Sequence, residues 1–120
     1  MPTTVLIVDD HPTFRRFARE LLEAAGYLVV GDAEDGASAL AAVRAFHPDV
    51  VLLDVLLPDT TGFAVAQALA AGAERPLVIL TSSRSASDFG ALVGTEHARG
   101  FISKSELTVA AFASLLSEAA

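Results

Sequence analysis

The chain has 120 residues, 52% of them apolar, so it can build one sizeable core and lacks the low hydrophobicity of a disordered segment. A net charge of −7 disfavours a direct grip on nucleic acid or an anionic membrane, and the absence of cysteine excludes a disulfide framework, a thiolate zinc site and a cysteine nucleophile. The apolar run Val5 to Val8 is far too short for a spanning helix or a signal-peptide core, so a soluble cytoplasmic domain is expected.

Short β-branched runs alternate with helical patterns, which is how a parallel sheet with crossover helices is written. The first strand is expected over Val5 to Val8. Phe14, Phe17, Ala18, Leu21, Leu22 and Ala25 then form one stripe of an amphipathic helix that Pro12 begins and Gly26 ends. Leu28 to Val30 is the second strand, ending in Gly31 and Asp32; at a sheet edge that aspartate would have no special role. Leu40, Val43 and Phe46 mark the second helix before Pro48. Val50 to Leu53 is the third strand, and Phe63, Ala66 and Leu69 mark the third helix before Gly72. Leu77 to Leu80 is the fourth strand. Ser83 to Thr95 holds three serines and two glycines, so the fourth helix is expected to be short or mobile. Phe101 and Ile102 form the fifth strand, and the last helix carries Leu107, Ala111 and Leu115 on one stripe with Phe112 and Leu116 beside it. The 23 alanines cluster where helical spacing occurs and read as helix filler. With no internal repeat, linker or low-complexity tract, residues 1–120 are expected to form a single domain.

In an open doubly wound sheet, ligands bind beyond the carboxyl ends of the strands. The residues that follow the runs are Asp9 and Asp10 after the first, Asp54 after the third, Thr81 after the fourth and Lys104 after the fifth. If the first and third strands are neighbours, three carboxylates crowd one cleft, which raises their pKa values or demands a cation. A hard divalent ion that keeps some of its waters fits, Mg²⁺ being the usual choice beside phosphate. A phosphoryl group accounts for the rest of the ring. Lys104, the single lysine of the chain, supplies a compact charge for its oxygens, Thr81 supplies a hydroxyl donor, and Asp54 can attack phosphorus to give an aspartyl phosphate.

Each residue also has a plainer reading. Asp9 or Asp10 can cap the helix that Pro12 begins, Asp54 can belong to a turn before Pro58, Thr81 can cap the weak helix, and Lys104 can be a solvated charge. These readings would have to coincide at four strand ends on one rim. As a charge on a solvent-facing rim, Lys104 is expected to contribute little to stability. His11 adjoins the acidic pair, but magnesium avoids imidazole, so no metal role is assigned to it, nor to His47 or His97.

The segments Val8-Asp9-Asp10-His11-Pro12, Leu53-Asp54-Val55-Leu56-Leu57-Pro58 with Gly62, Ile79-Leu80-Thr81-Ser82 and Gly100-Phe101-Ile102-Ser103-Lys104 resemble the receiver domain of bacterial two-component response regulators over essentially the whole chain. The resemblance implies an α/β, flavodoxin-like (βα)5 fold: a doubly wound, five-stranded parallel sheet of strand order 2-1-3-4-5. It implies that Asp54 is the phosphoacceptor, served by a sensor histidine kinase. By the same mapping Asp10, Asp54 and the backbone carbonyl of Leu56 ligate Mg²⁺ or Mn²⁺, with Asp9 helping through water. Thr81 and Phe101 are the switch pair, and Lys104 pairs with the phosphoryl group. The expected fourth helix, fifth strand and fifth helix report the change to a downstream effector, with transcription as the output and a phosphorylation-dependent homodimer among the partners. The chain is then a signalling phosphoacceptor and not a turnover enzyme, without direct contact to nucleic acid or membrane.

Three positions depart from the commonest pattern. Ser105 stands where many receivers have proline, Ser82 and Ser83 follow Thr81 and admit a register in which Ser82 carries the switch hydroxyl, and His97 stands where glycine is frequent. The first departure, with His11-Pro12, resembles the branch whose receivers precede a helix-turn-helix domain, so the chain is expected to be such a receiver or a single-domain regulator. A small aspartyl-phosphate phosphohydrolase would need an acidic residue at Leu56, and an FMN carrier would need a hydroxyl- and glycine-rich first loop in place of Asp9 and Asp10.

Overall fold

The computed structural model describes residues 2–84 and 97–117. The elements in chain order are β1 (Thr4–Val8), α1 (Pro12–Ala24), β2 (Leu28–Ala33), α2 (Gly36–Phe46), β3 (Val50–Asp54), α3 (Gly62–Ala71), β4 (Leu77–Ser82), β5 (Gly100–Ser103), a 3₁₀ turn (Lys104–Glu106) and α4 (Val109–Ser117). The five strands form one parallel sheet in the order β2-β1-β3-β4-β5, the flavodoxin-like arrangement that the resemblance implies. The fourth helix expected over Ser83 to Thr95, and its expected mobility, fall on residues 85–96 and lie outside the described residues. The helix expected last in the chain is therefore α4 here.

The central strand β3 is buried along its whole length because helices cover both faces of the sheet. Alternate residues serve the two faces. Ile7, Leu52, Ile79 and Ile102 join Ala18 and Leu22 of α1 and Phe112 of α4 on one side. Val8, Leu53 and Leu80 join Val43 of α2 and Val65 and Leu69 of α3 on the other. Phe112 is fully buried and meets Tyr27 edge to face at 5.1 Å, which anchors the last helix.

Three local expectations shift. The strand β2 does not stop at Val30 but runs on to Ala33, because a bulge near Val30 absorbs one residue and the ring of Phe46 lies over Gly31, where a Cβ would meet it at 3.0 Å. In α1 the buried stripe is narrower than its spacing suggests: Ala18 and Leu22 are buried, whereas Phe17 is 48% exposed. Leu107 is buried, but it precedes α4, whose first turn is capped by Thr108 Oγ1 accepting the Ala111 N–H at 3.1 Å. No helix among the described residues is long and apolar enough to cross a membrane.

Candidate functional site at the carboxyl ends of the strands

Strand alternation places the site. Asp9, Asp54, Thr81 and Lys104 each stand two residues beyond Ile7, Leu52, Ile79 and Ile102, the residues that line the α1 and α4 face. Asp54 and Thr81 are register partners in adjacent strands. Ser82 has the opposite parity, and its Oγ accepts the Arg84 N–H at 3.2 Å. Thr81 Oγ1 is buried and has no hydrogen-bond partner, so of the two hydroxyls Thr81 has the uncommitted one on the face of the carboxylates. Phe101 partners Leu80 and packs against the cluster under α2 and α3, away from the carboxylates.

Lys104 lies among the acids. Its Nζ is 2.6 Å from Asp9 Oδ2, an ion pair outside hydrogen-bond geometry, and donates to Asp54 Oδ2 at 3.4 Å. It also sits 4.6 Å from the centre of the Phe14 ring. Its side chain is only 14% exposed, so the lysine is not the open rim charge expected from the sequence. Its removal would leave Asp9, fully buried, and Asp54, 3% exposed, without their cation.

Asp9 does not cap α1. The N-cap is His11, with Pro12 opening the helix and no side-chain cap. Asp9 Oδ1 instead accepts the His11 N–H at 2.8 Å, and the Asp9 carbonyl accepts from Arg15 Nη1 at 2.6 Å. Asp10 is partly exposed beside it, its Oδ1 buried and without a hydrogen bond. Asp54 Oδ1 accepts the Leu56 N–H at 3.3 Å, which brings the Leu56 backbone to the same corner. Burial, and then the negative charge of Asp9, push the Asp54 carboxyl from 3.8 to about 6, against the pull of Lys104.

The loop that follows Asp54 is seated by close backbone approach. A Cβ on Gly62 would lie 2.5 Å from the Asp54 carbonyl oxygen, so only glycine lets α3 begin this close to the site. Asp59 reaches across to accept the Gly36 and Ala37 N–H groups at 2.8 and 3.1 Å, a second acidic cap on α2 beside Asp35. A cavity of about 300 Å³ opens between the two loops, bordered by Asp10, His11, Asp54, Leu56 and Lys104, with Leu56 48% exposed at its mouth.

Sequence reading missed Arg15, Asp32, Phe14 and Asp59. Arg15 also pairs with Asp32 at 3.6 Å, so Asp32 at the sheet edge helps hold the acidic loop. Nothing in helical periodicity marks an arginine that reaches back six residues. Asp59 reads as an ordinary turn residue after Pro58.

The donor set fits a hard divalent cation. One ligand atom from each of Asp9, Asp10, His11 and Asp54 lies within 4.8 Å of the others, and the buried Oδ1 of Asp10 lacks a hydrogen bond, while Asp9 Oδ2 is already paired with Lys104.

Comparison with known proteins places the chain by its sequence and its fold. NarP, the nitrate/nitrite response regulator protein of Escherichia coli, is 43% identical over 94 residues, covering 77% of this chain and 44% of its own length. A protein-glutamate methylesterase/protein-glutamine glutaminase of Myxococcus xanthus is 43% identical over 83 residues, covering 68% of this chain and 24% of its own. The crystal structure of a LuxR-family two-component response regulator from Aurantimonas superposes with a TM-score of 0.83 at 28% identity, over 98% of this chain and 87% of that one. The chain thus spans about a quarter to just over half the length of these and other curated relatives. The profile of the response regulator receiver domain matches residues 5–112, and the chain belongs to that family, the receivers of two-component signalling systems.

Proposed function

We propose that this receiver works as a phosphorylation switch in which Asp54 takes a phosphoryl group from a phosphohistidine of a sensor histidine kinase. The observation that carries the reading is the state of Asp54: 3% exposed, pushed up to about 6, touching Lys104 and bordering an open cavity. A carboxylate oxygen of Asp54 forms a bond to phosphorus while the phosphorus–nitrogen bond of the donor breaks and its electron pair returns to the imidazole. Lys104 then pairs with a phosphoryl oxygen, and the uncommitted Thr81 hydroxyl donates to another. Asp10, Asp54 and the Leu56 carbonyl would hold Mg²⁺ or Mn²⁺, with Asp9 acting through water. The ion supplies neutralisation of charge on the transferring group.

Movement of Thr81 and Phe101 shifts a two-state equilibrium at the output surface, which includes β5 and α4. The chain turns over no substrate, and residues 1–120 act as a cytoplasmic receiver unit. Its similarity to NarP supports transcription as the output, exerted through an effector domain or a phosphorylation-dependent homodimer. Mass spectrometry after incubation with a small acyl phosphate should show one phosphate-sized mass gain that needs a divalent ion and vanishes in Asp54→Asn. Full labelling of that variant, or labelling indifferent to a chelator, would overturn the assignment.

A further inference from the structure

Both main-chain polar groups of Asp9 are tied to the edge strand β2. The Asp9 N–H donates to the Ala33 carbonyl at 3.0 Å, and the Asp9 carbonyl accepts from Arg15 Nη1 at 2.6 Å. Nε of the same guanidinium stands 3.6 Å from Asp32 Oδ2, and the Arg15 side chain is only 18% exposed. The arginine reaches back from the first turn of α1, where its own N–H donates to the His11 carbonyl at 3.1 Å.

This contact acts on more than Asp9. The Asp9 carbonyl and the Asp10 N–H belong to one planar peptide unit, so the hydrogen bond from Arg15 fixes the plane from which the Asp10 side chain departs. Asp10 Oδ1 is buried without a hydrogen bond, and the His11 ring beside it at 3.2 Å is itself exposed, so the backbone does most to aim that carboxylate. Lys104 stands against the carboxylates of Asp9 and Asp54, whereas Arg15 holds a carbonyl and occupies no oxygen that an ion needs.

We propose that Arg15 is a positioning residue for the divalent ion of the phosphoryl-transfer site: by pinning the peptide between Asp9 and Asp10 it aims the Asp10 carboxylate, and without it the ion binds more weakly. The proposal rests on the metal-assisted reading of the rim given above. Its sign separates it from a plain field effect. Arg15 is positively charged, so by Coulomb attraction alone its removal would strengthen the hold on a cation. Loss of a group that orients a ligand instead weakens metal binding, by about 10- to 100-fold.

Calorimetric titration with Mg²⁺ of the parent, Arg15→Met, Arg15→Lys, Arg16→Met and Asp10→Asn tests this. Arg15→Met should weaken Mg²⁺ about tenfold, while Arg15→Lys, which keeps the charge and one donor for the carbonyl, should stay within about threefold of the parent. Arg16→Met removes the same charge from an exposed neighbour and should bind no more weakly than the parent. A second readout is the rate at which an acyl phosphate labels Asp54 as Mg²⁺ is varied. In Arg15→Met the half-saturating Mg²⁺ should rise about tenfold while the rate at saturation stays within about twofold of the parent.

Parent-like or tighter Mg²⁺ binding by Arg15→Met, binding by Arg15→Lys as weak as by Arg15→Met, or equal weakening in Arg16→Met would overturn the proposal. So would a lowered rate at saturation with an unmoved midpoint, the mark of a residue that serves folding alone. Each of these leaves the metal site standing, provided Asp10→Asn loses affinity. Parent-like binding by Asp10→Asn would remove the metal site itself, and the role of Arg15 with it.

Discussion

After β1 the chain takes three residues, Asp9 to His11, to enter α1; after β3 it takes seven, Val55 to Thr61, to enter α3. The short loop is fastened by charge. Arg15, backed by Asp32, holds the Asp9 carbonyl, and Lys104 holds the Asp9 carboxylate. The long loop is fastened by backbone and shape: Leu57 donates to the Thr60 carbonyl at 3.1 Å, Gly62 to the Val55 carbonyl at 2.7 Å, and Asp59 staples the loop to α2. The first loop carries Asp9 and Asp10 and the second follows Asp54 directly, and the two should yield to different insults. Salt and pH act on the first, and added volume on the second.

The largest test of that contrast is Lys104→Ala. In ion-free protein at neutral pH it should cost about 3 kcal/mol, because two buried carboxylates then face each other without their cation. The sign with pH follows from Asp54, whose carboxyl is raised from 3.8 to about 6, so the folded state holds the proton more tightly than the unfolded chain. Stability conferred by that proton is present below 3.8 and is lost as pH rises to about 6. The Lys104→Ala deficit should accordingly shrink at pH 4, as measured by urea unfolding in chelator. Equal deficits at pH 4 and pH 7 would mean that packing on Phe14, and not charge, is what the lysine provides.

Gly62→Ala should cost about 2 kcal/mol through overpacking against the Asp54 carbonyl, with the same loss in low and high salt. A salt-dependent loss would erase the contrast between the loops. Next in size is a rate. Leu56 is apolar and 48% exposed at the cavity mouth, where it offers no hydrogen bond to a water attacking the acyl phosphate. Leu56→Asn should speed loss of the label about tenfold, or about 1.4 kcal/mol of barrier. Equal or slower decay would place the control of that water elsewhere. The smallest pair sharpens the comparison directly. Asp59→Ala and Arg15→Ala should each cost about 1 kcal/mol in thermal melts, and the Arg15→Ala deficit, which also loses an ion pair with Asp32, should fade more at high salt than the Asp59→Ala deficit.

The sheet was legible because its strands are unbroken apolar runs, and the strand order followed from family resemblance, not from any periodicity. Asp9, Asp10, Asp54, Thr81 and Lys104 were legible because a strand end is where a polar residue interrupts such a run. The supports were not. Arg15 and Asp59 act across gaps of 6 and 22 or 23 residues through single side-chain contacts, and no local pattern encodes a contact of that kind. The continuation of β2 through Gly31 and Asp32 was hidden for the opposite reason: its residues carry the chemistry of a turn, and tertiary packing under Phe46 overrides it.

The two-residue step from Ile7, Leu52, Ile79 and Ile102 to the four polar groups of the rim has a consequence for how this molecule tolerates change in length. A residue inserted or deleted inside β1, β3 or β4 would turn the terminal Asp9, Asp54 or Thr81 to the α2 and α3 face and bury a polar group in an apolar layer. The same insertion in a surface connection remote from the rim, such as the turn between α1 and β2, would cost only loop entropy. A scan of single-residue insertions should therefore read out as a barcode, with intolerant blocks at the strands and permissive gaps between them, drawn by the alternation of a β-strand.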